Sequence, residues 1–228
     1  MEADPLSSPE IVALVPMRHQ SERVPGKNYR LLHGRPLYAY ILESLLQSGS
    51  VTQVVVDTDS PEIREGIERG FPSVKLLDRP VSLRDGSVPM NQVLLHDVQM
   101  VHAPYYLQTH STNPLLSAGS ITAAVRAFLS AVPERDSMFS VTRWQKRLWD
   151  RLGKPLNHDP AVLLNTQDLP PVFEENSCLY LFEREGFLRR GNRIGESPLM
   201  FEIPASEAMD IDEEDDFRVL EALLAARG

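Results

Sequence analysis

The sequence predicts an α/β fold in which a mostly parallel sheet is covered by helices. Short continuous apolar runs alternate with amphipathic helical periods, and the alternation persists through most of the chain. The length, 228 residues, suits one sizeable core.

Ile11 to Val15 is an unbroken apolar run, as expected for a strand buried on both faces. A helix is predicted from Pro36: Leu37, Ile41, Leu45 and Leu46 share a face, Pro36 suits a first-turn position, and Gly49 can end it. Val54 to Val56 reads as the next strand, and Ser60 opens a helix carrying Ile63 and Ile67. An apolar run at Val74 to Leu77, a helix from about Pro89 to Val101 and a strand at Tyr105 to Leu107 follow. A helix from about Ser120 to Ala131 and a strand near Met138 to Val141 keep the order, which favours parallel pairing. Between Arg143 and Asn176 the period is lost, and Trp144, Trp149 and several prolines stand among charges, the composition of an arm, lid or interface. Strands at Leu179 to Phe182 and Met200 to Ile203 and a helix over Glu213 to Ala226 close the chain. Residues 1–10, polar and acidic, are expected to be a disordered leader to one domain over 11–228.

Composition excludes several classes. Hydrophobic residues make up 42% and charged residues 24%, and no apolar run is long enough to cross a bilayer as a helix. The first residues lack the basic start and apolar stretch of a secretory signal. A single cysteine, Cys178, permits no intramolecular disulfide and points to a reducing, cytoplasmic setting; it reads as a small core residue. A net charge of -9 argues against a nucleic-acid partner.

Against that acidic background, Arg18, Arg23, Lys27 and Arg30 face only Glu22 in the loop after the first strand. Such a loop is where an open α/β sheet binds phosphate, and arginine and lysine suit phosphate oxygens. The pattern fits a triphosphate-binding loop, and a solvated basic loop equally. It is neither a P-loop nor a Gly-x-Gly-x-x-Gly turn. Near the other end, Asp210-Ile211-Asp212 places two carboxylates on one side of an extended segment, as a Mg²⁺ site needs. Asp212 could instead cap the last helix, whose first turn is acidic, and the two roles are compatible.

Pro16 to Asn28 resembles the signature loop of the acylneuraminate cytidylyltransferase family, with Arg18, Ser21, Arg23, Pro25, Lys27 and Asn28 in register. Met209 to Phe217 is similar to the family's metal-binding Ile-Asp-Ile-Asp-Thr-Glu-Asp-Asp, and Asp57-Thr58-Asp59, Asp78-Arg79-Pro80 and Thr166 to Tyr180 resemble further motifs in the same order. Met17 replaces the usual alanine, the glycine pair before the serine is absent, and Thr166 and Glu174 stand where many members carry arginines. The segment Gln108 to Pro114 is also longer than its family counterpart.

The resemblance implies a Rossmann-like nucleotidyltransferase fold with a small dimerisation arm over about residues 143–175. It implies that CTP and Mg²⁺ are used to place CMP on a nonulosonic, sialic acid-like sugar acid. Nucleotide contacts are then expected from Arg18, Ser21, Arg23, Lys27, Asn28, Arg79 and Ser87, and acceptor contacts from Gln108, Thr109, Gln167, Asn176 and Tyr180. Asp210 and Asp212 would hold the metal, and Arg18, Lys27 and Asp212 would act in catalysis. A Kdo-like sugar or a phosphonate as acceptor, and a catalytically weak binding module, are the alternatives. A homodimer is expected from the same resemblance. His19 could touch an anion, and Trp144 and Trp149 could serve the acceptor pocket, an interface or the core.

Overall fold

The structure, a computed structural model, describes residues 9–226, so residues 1–8 of the expected leader lie outside it. Strand β1 (Ile11–Leu14) leads through a long loop to a small hairpin, β2 (Leu31–Leu32) and β3 (Arg35–Pro36), and then to α1 (Leu37–Ser48). The chain continues as β4 (Gln53–Thr58), α2 (Pro61–Gly70), β5 (Lys75–Asp78), α3 (Met90–Met100), β6 (Tyr105–Gln108) and α4 (Ala118–Ala131). It ends with β7 (Ser137–Trp144), β8 (Val172–Glu183), α5 (Arg184–Arg190), β9 (Pro198–Glu202) and α6 (Glu214–Ala225).

Seven strands form one sheet in the order β5-β4-β1-β6-β8-β7-β9. Only β8 runs against its neighbours, so the expected mostly parallel sheet is what forms. The order reverses at β1, which has β4 on one side and β6 on the other, and a crevice opens there beyond the strands' carboxyl ends. One apolar cluster, including Ile41, Ile63, Ile121 and Phe128, packs α1, α2 and α4 on one face. A second, including Leu94, Val98, Phe182 and Phe187, packs α3 and α5 on the other. Each such side chain contributes about 1.5–3 kcal/mol when fully buried.

Local signals place the helix ends. Ser60 caps α2 by accepting from the Ile63 amide, with Pro61 next in line, and Gly49 ends α1 with φ 59°.

The stretch expected to be irregular up to Asn176 is partly strand. β8 begins at Val172, and its first half escapes a hydrophobic reading because Phe173, Glu174 and Glu175 are exposed. It pairs with β7 across a bulge between Phe139 and Val141, where Ser177 takes φ 58°. Helix α5 is a further departure; its seven residues are too short to show a period.

Gly66 gives a test of packing. Alanine normally stabilises a helix by about 1 kcal/mol over glycine. Here its Cβ would meet the Tyr38 hydroxyl at 1.9 Å, and Tyr38 is buried against Phe71. Gly66→Ala is therefore expected to lower the melting temperature, and a rise would show that Tyr38 can move aside.

Candidate active site

The loop from β1 is held open by specific contacts. Gly26 adopts φ 66°, which favours glycine, and sets up the turn around Lys27. Asn28 fastens this loop to the one after β6: its amide donates to the Arg18 carbonyl at 2.7 Å, and its side-chain oxygen accepts from Ser111 at 2.7 Å. A third small cluster, with Leu32, Leu37, Ile211, Phe217 and Leu220, seats α6 against the hairpin. Arg30 adds a two-pronged contact to Glu214 at 2.7 Å and lies over the Phe217 ring. Two segments nearly 200 residues apart in sequence thus meet at the crevice.

Ile211 is buried in that cluster, so Asp210 and Asp212 on either side of it both face the cleft. Ile211 donates its amide to the Thr112 carbonyl at 3.0 Å, and the Lys27 ammonium donates to the Ile211 carbonyl. The helix cap is Glu213, paired with Asp216 in a capping box, and Asp216 also accepts from the Asp212 amide at 2.9 Å. Asp212 is therefore not the cap. Its carboxylate instead lies 2.6 Å from Arg23 and 3.8 Å from Lys27.

The cleft measures about 350 Å³. Arg18, Ser21, Arg23, Lys27, Asn28, Arg79, Asp210 and Asp212 all line it. Burial lowers the Lys27 pKa, and the two aspartates oppose that shift. Burial raises that of Asp210, with Asp212 adding to the rise. Asp210 Oδ1 is buried and accepts no hydrogen bond. A buried carboxylate oxygen of this kind, beside a second carboxylate that faces solvent, fits a hard divalent cation such as Mg²⁺.

Arg79 reaches the cleft from a buried network. Its Nε donates to Asp57 Oδ1 at 2.6 Å. Asp97 lies behind, its pKa pushed up to about 9 by burial and then by Asp57. Asp57 Oδ2, on the far side from Arg79, is buried and accepts no hydrogen bond. His96 Nδ1 sits 3.2 Å from Asp97 Oδ1.

Other predicted residues lie elsewhere. Ser87 binds Asp85 through its amide and hydroxyl, and its neighbours Gly86 and Val88, not Ser87 itself, line the cleft. Gln108 and Thr109 are fully buried beneath the floor, and Thr109 donates to the Cys178 carbonyl at 2.7 Å. Asn176 fills the β8 bulge, accepting from Ser140 at 2.6 Å and donating to Thr142 at 3.0 Å. Tyr180 is buried with its hydroxyl on Glu175 and Ser177. Gln167 is exposed on the arm, where its carbonyl accepts from Gln145. None of the five expected acceptor residues lines the cleft, because β6 and β8 turn them into the sheet or the arm carries them away from it.

The cleft wall also contains His110, Ser111, Thr112 and Ser177, which the spacing of motifs did not single out. The polar run after β6 was their only signal, and Ser177 enters because of its bulge. His110 is neutral, its pKa pushed down to about 3 by burial and then by Arg193 and Lys27. His19 turns away toward Ser60 and Glu62, and neither tryptophan reaches the cleft. Cys178 is a core residue whose thiol pKa burial pushes up to about 12.

The profile described as "Cytidylyltransferase" matches residues 12–221. The chain belongs to that family. It is 27% identical over 221 residues to N-acylneuraminate cytidylyltransferase A of Danio rerio, covering 94% of this chain but 50% of that protein. The chain thus spans about half the length of this relative. It is 28% identical over 228 residues to the CMP-N,N'-diacetyllegionaminic acid synthase of Legionella pneumophila, covering 94% and 96% of the two chains. A solved CMP:2-keto-3-deoxy-manno-octonic acid synthetase complexed with CTP superposes with a TM-score of 0.71 at 17% identity, over 96% of this chain and 100% of that one. That likeness establishes a shared fold. This cytidylyltransferase family member therefore has a nucleotidyltransferase sheet with its cationic and acidic motifs at one cleft.

Proposed function

We propose that the cleft binds CTP with Mg²⁺ and transfers CMP to a nonulosonic sugar acid, releasing pyrophosphate. One observation carries the reading: four cations and the Asp210–Asp212 pair, from distant parts of the chain, line a single crevice at the carboxyl ends of the strands. Acceptors named for the Danio and Legionella relatives supply the substrate class.

The acceptor hydroxyl attacks the α-phosphorus as the bond to the pyrophosphate oxygen breaks, and positioning and charge neutralisation carry the catalysis. Arg18 and Lys27 are placed to stabilise charge on the departing pyrophosphate. Arg23, exposed and tethered among the described residues to Asp212 and Glu213, can swing to a phosphate oxygen. Arg79 is held by Asp57 through its Nε and Nη2 and lines the same cleft. Asp210 and Asp212 would hold Mg²⁺, which when bound supplies a Lewis acid to the phosphate oxygens.

We further infer that the arm forms a homodimer contact. It exposes Leu152, Leu156 and Leu163, the last 90% accessible, an apolar surface that favours a partner.

Pyrophosphate release from CTP and Mg²⁺ tests the reading with N-acetylneuraminate, N,N'-diacetyllegionaminate, Kdo and a small phosphonate as acceptors. Release with a nonulosonic acid is expected. Release only with Kdo or the phosphonate would reassign the acceptor, and CTP binding without release from any of them would leave a binding module.

A further inference from the structure

Beside the cleft, behind His110, lies a cation that no phosphate contact requires. Arg193, in the turn between α5 and β9, is mostly buried, and burial lowers its pKa. Its guanidinium carbon sits 3.4 Å from the centroid of the Tyr180 ring, and its Nη1 donates to Gln108 Oε1. Gln108 in turn contacts His110 at 3.0 Å, and His110 is part of the cleft wall. The turn is also fastened to α3, which lines the cleft: the Arg193 amide donates to Asn91 Oδ1 at 3.4 Å, and Asn91 donates to Asn192 at 3.2 Å.

A buried guanidinium is costly unless an anion meets it. Among the described residues Arg193 makes no salt bridge, and the nearby Glu175 carboxylate is held by the Tyr180 hydroxyl. Arg193 does not itself line the cleft, but it is partly exposed, and Gln108 and His110 join it to the cleft wall. The neutral His110 does not compete for an anion. A planar fork with unused donors matches a carboxylate bidentately.

We propose that Arg193 is the specificity-determining receptor for the carboxylate of the acceptor, oriented by Gln108 and the Tyr180 ring. The proposal rests on the cytidylyltransferase reading of the same cleft, which places an acidic acceptor beside the nucleotide.

The test titrates the full chain, first with the α,β-methylene analogue of CTP plus Mg²⁺. The loaded protein is then titrated with N-acetylneuraminate, N,N'-diacetyllegionaminate, Kdo and the methyl ester of the acid that binds best. Arg193→Gln is expected to weaken that acid by about 10- to 100-fold, the range for losing a charge-assisted bond. Nucleotide affinity should stay within about two-fold, and the wild-type preference for acid over ester should disappear. Arg193→Lys, which keeps the charge and loses the fork, should fall between and serves if the glutamine variant does not fold. Unchanged acid affinity in the variants, equal weakening of nucleotide and acid, or no binding of any acid to the wild type would overturn the proposal. Failure of the nucleotide analogue to bind would count against the CTP reading instead, and the acids are then titrated alone, with the same outcomes deciding for or against Arg193.

Discussion

Asp210→Asn and Asp212→Asn are each expected to reduce kcat by about 100-fold or more, the scale set by loss of preorganised charge at a reacting phosphate. Their stabilities should differ. Asp210 is partly buried, its Oδ1 is shielded and accepts no hydrogen bond, and burial already disfavours its charge. An asparagine there removes a desolvated carboxylate, so the melting temperature should hold or rise while activity falls. Asp212 is half-exposed and loses only its surface contacts to Arg23 and Lys27, so its stability should barely change. Calorimetric titration with Mg²⁺ or Mn²⁺ in the presence of CTP provides a readout besides turnover. Wild-type metal affinity in either variant, or near-normal kcat, would remove that aspartate from the metal site.

The second large effect concerns the support of Arg79. Asp57→Ala removes the buried partner of a buried guanidinium, and such a break costs about 3–5 kcal/mol. CTP affinity should fall with it, since Arg79 would no longer be held toward the cleft. Asp97→Asn is the informative companion. The folded-state pKa of Asp97, about 9, exceeds its ordinary 3.8, so the folded chain keeps a proton that the unfolded chain releases. Its contribution to stability is complete below about pH 4 and declines as pH rises toward about 9. Asparagine keeps the size and polarity of the protonated carboxyl and does not titrate. Chemical denaturation across that range should show a shallower pH dependence in Asp97→Asn than in the wild type. An unchanged slope would mean that Asp97 is ionised in the fold.

Much of this was legible in the chain because it depends on local chemistry. The apolar run at Ile11 to Leu14, the Ser60–Pro61 helix start and the Gly49 stop each act through neighbours within a few residues. The reversed charge of the Arg18 to Arg30 loop and the Asp-x-Asp spacing are likewise properties of short segments. The first half of β8 was not legible: its polar residues face outward, and its strand geometry comes from pairing with β7.

Periodicity and motif spacing alone determined the class of sheet and the two charged segments that converge on the cleft. Tertiary structure decided which of those charges are free to act. Whether Asp212 caps a helix or faces Lys27 depends on Glu213 and Asp216 forming the cap, and on Ile211 being drawn into the cluster under α6. The inward turn of Gln108, Asn176 and Tyr180, and the placing of Arg193 beside the cleft, follow from strand register and a bulge. Burial and pairing are set by contacts between segments far apart in sequence, and no short stretch of the chain encodes its own partner.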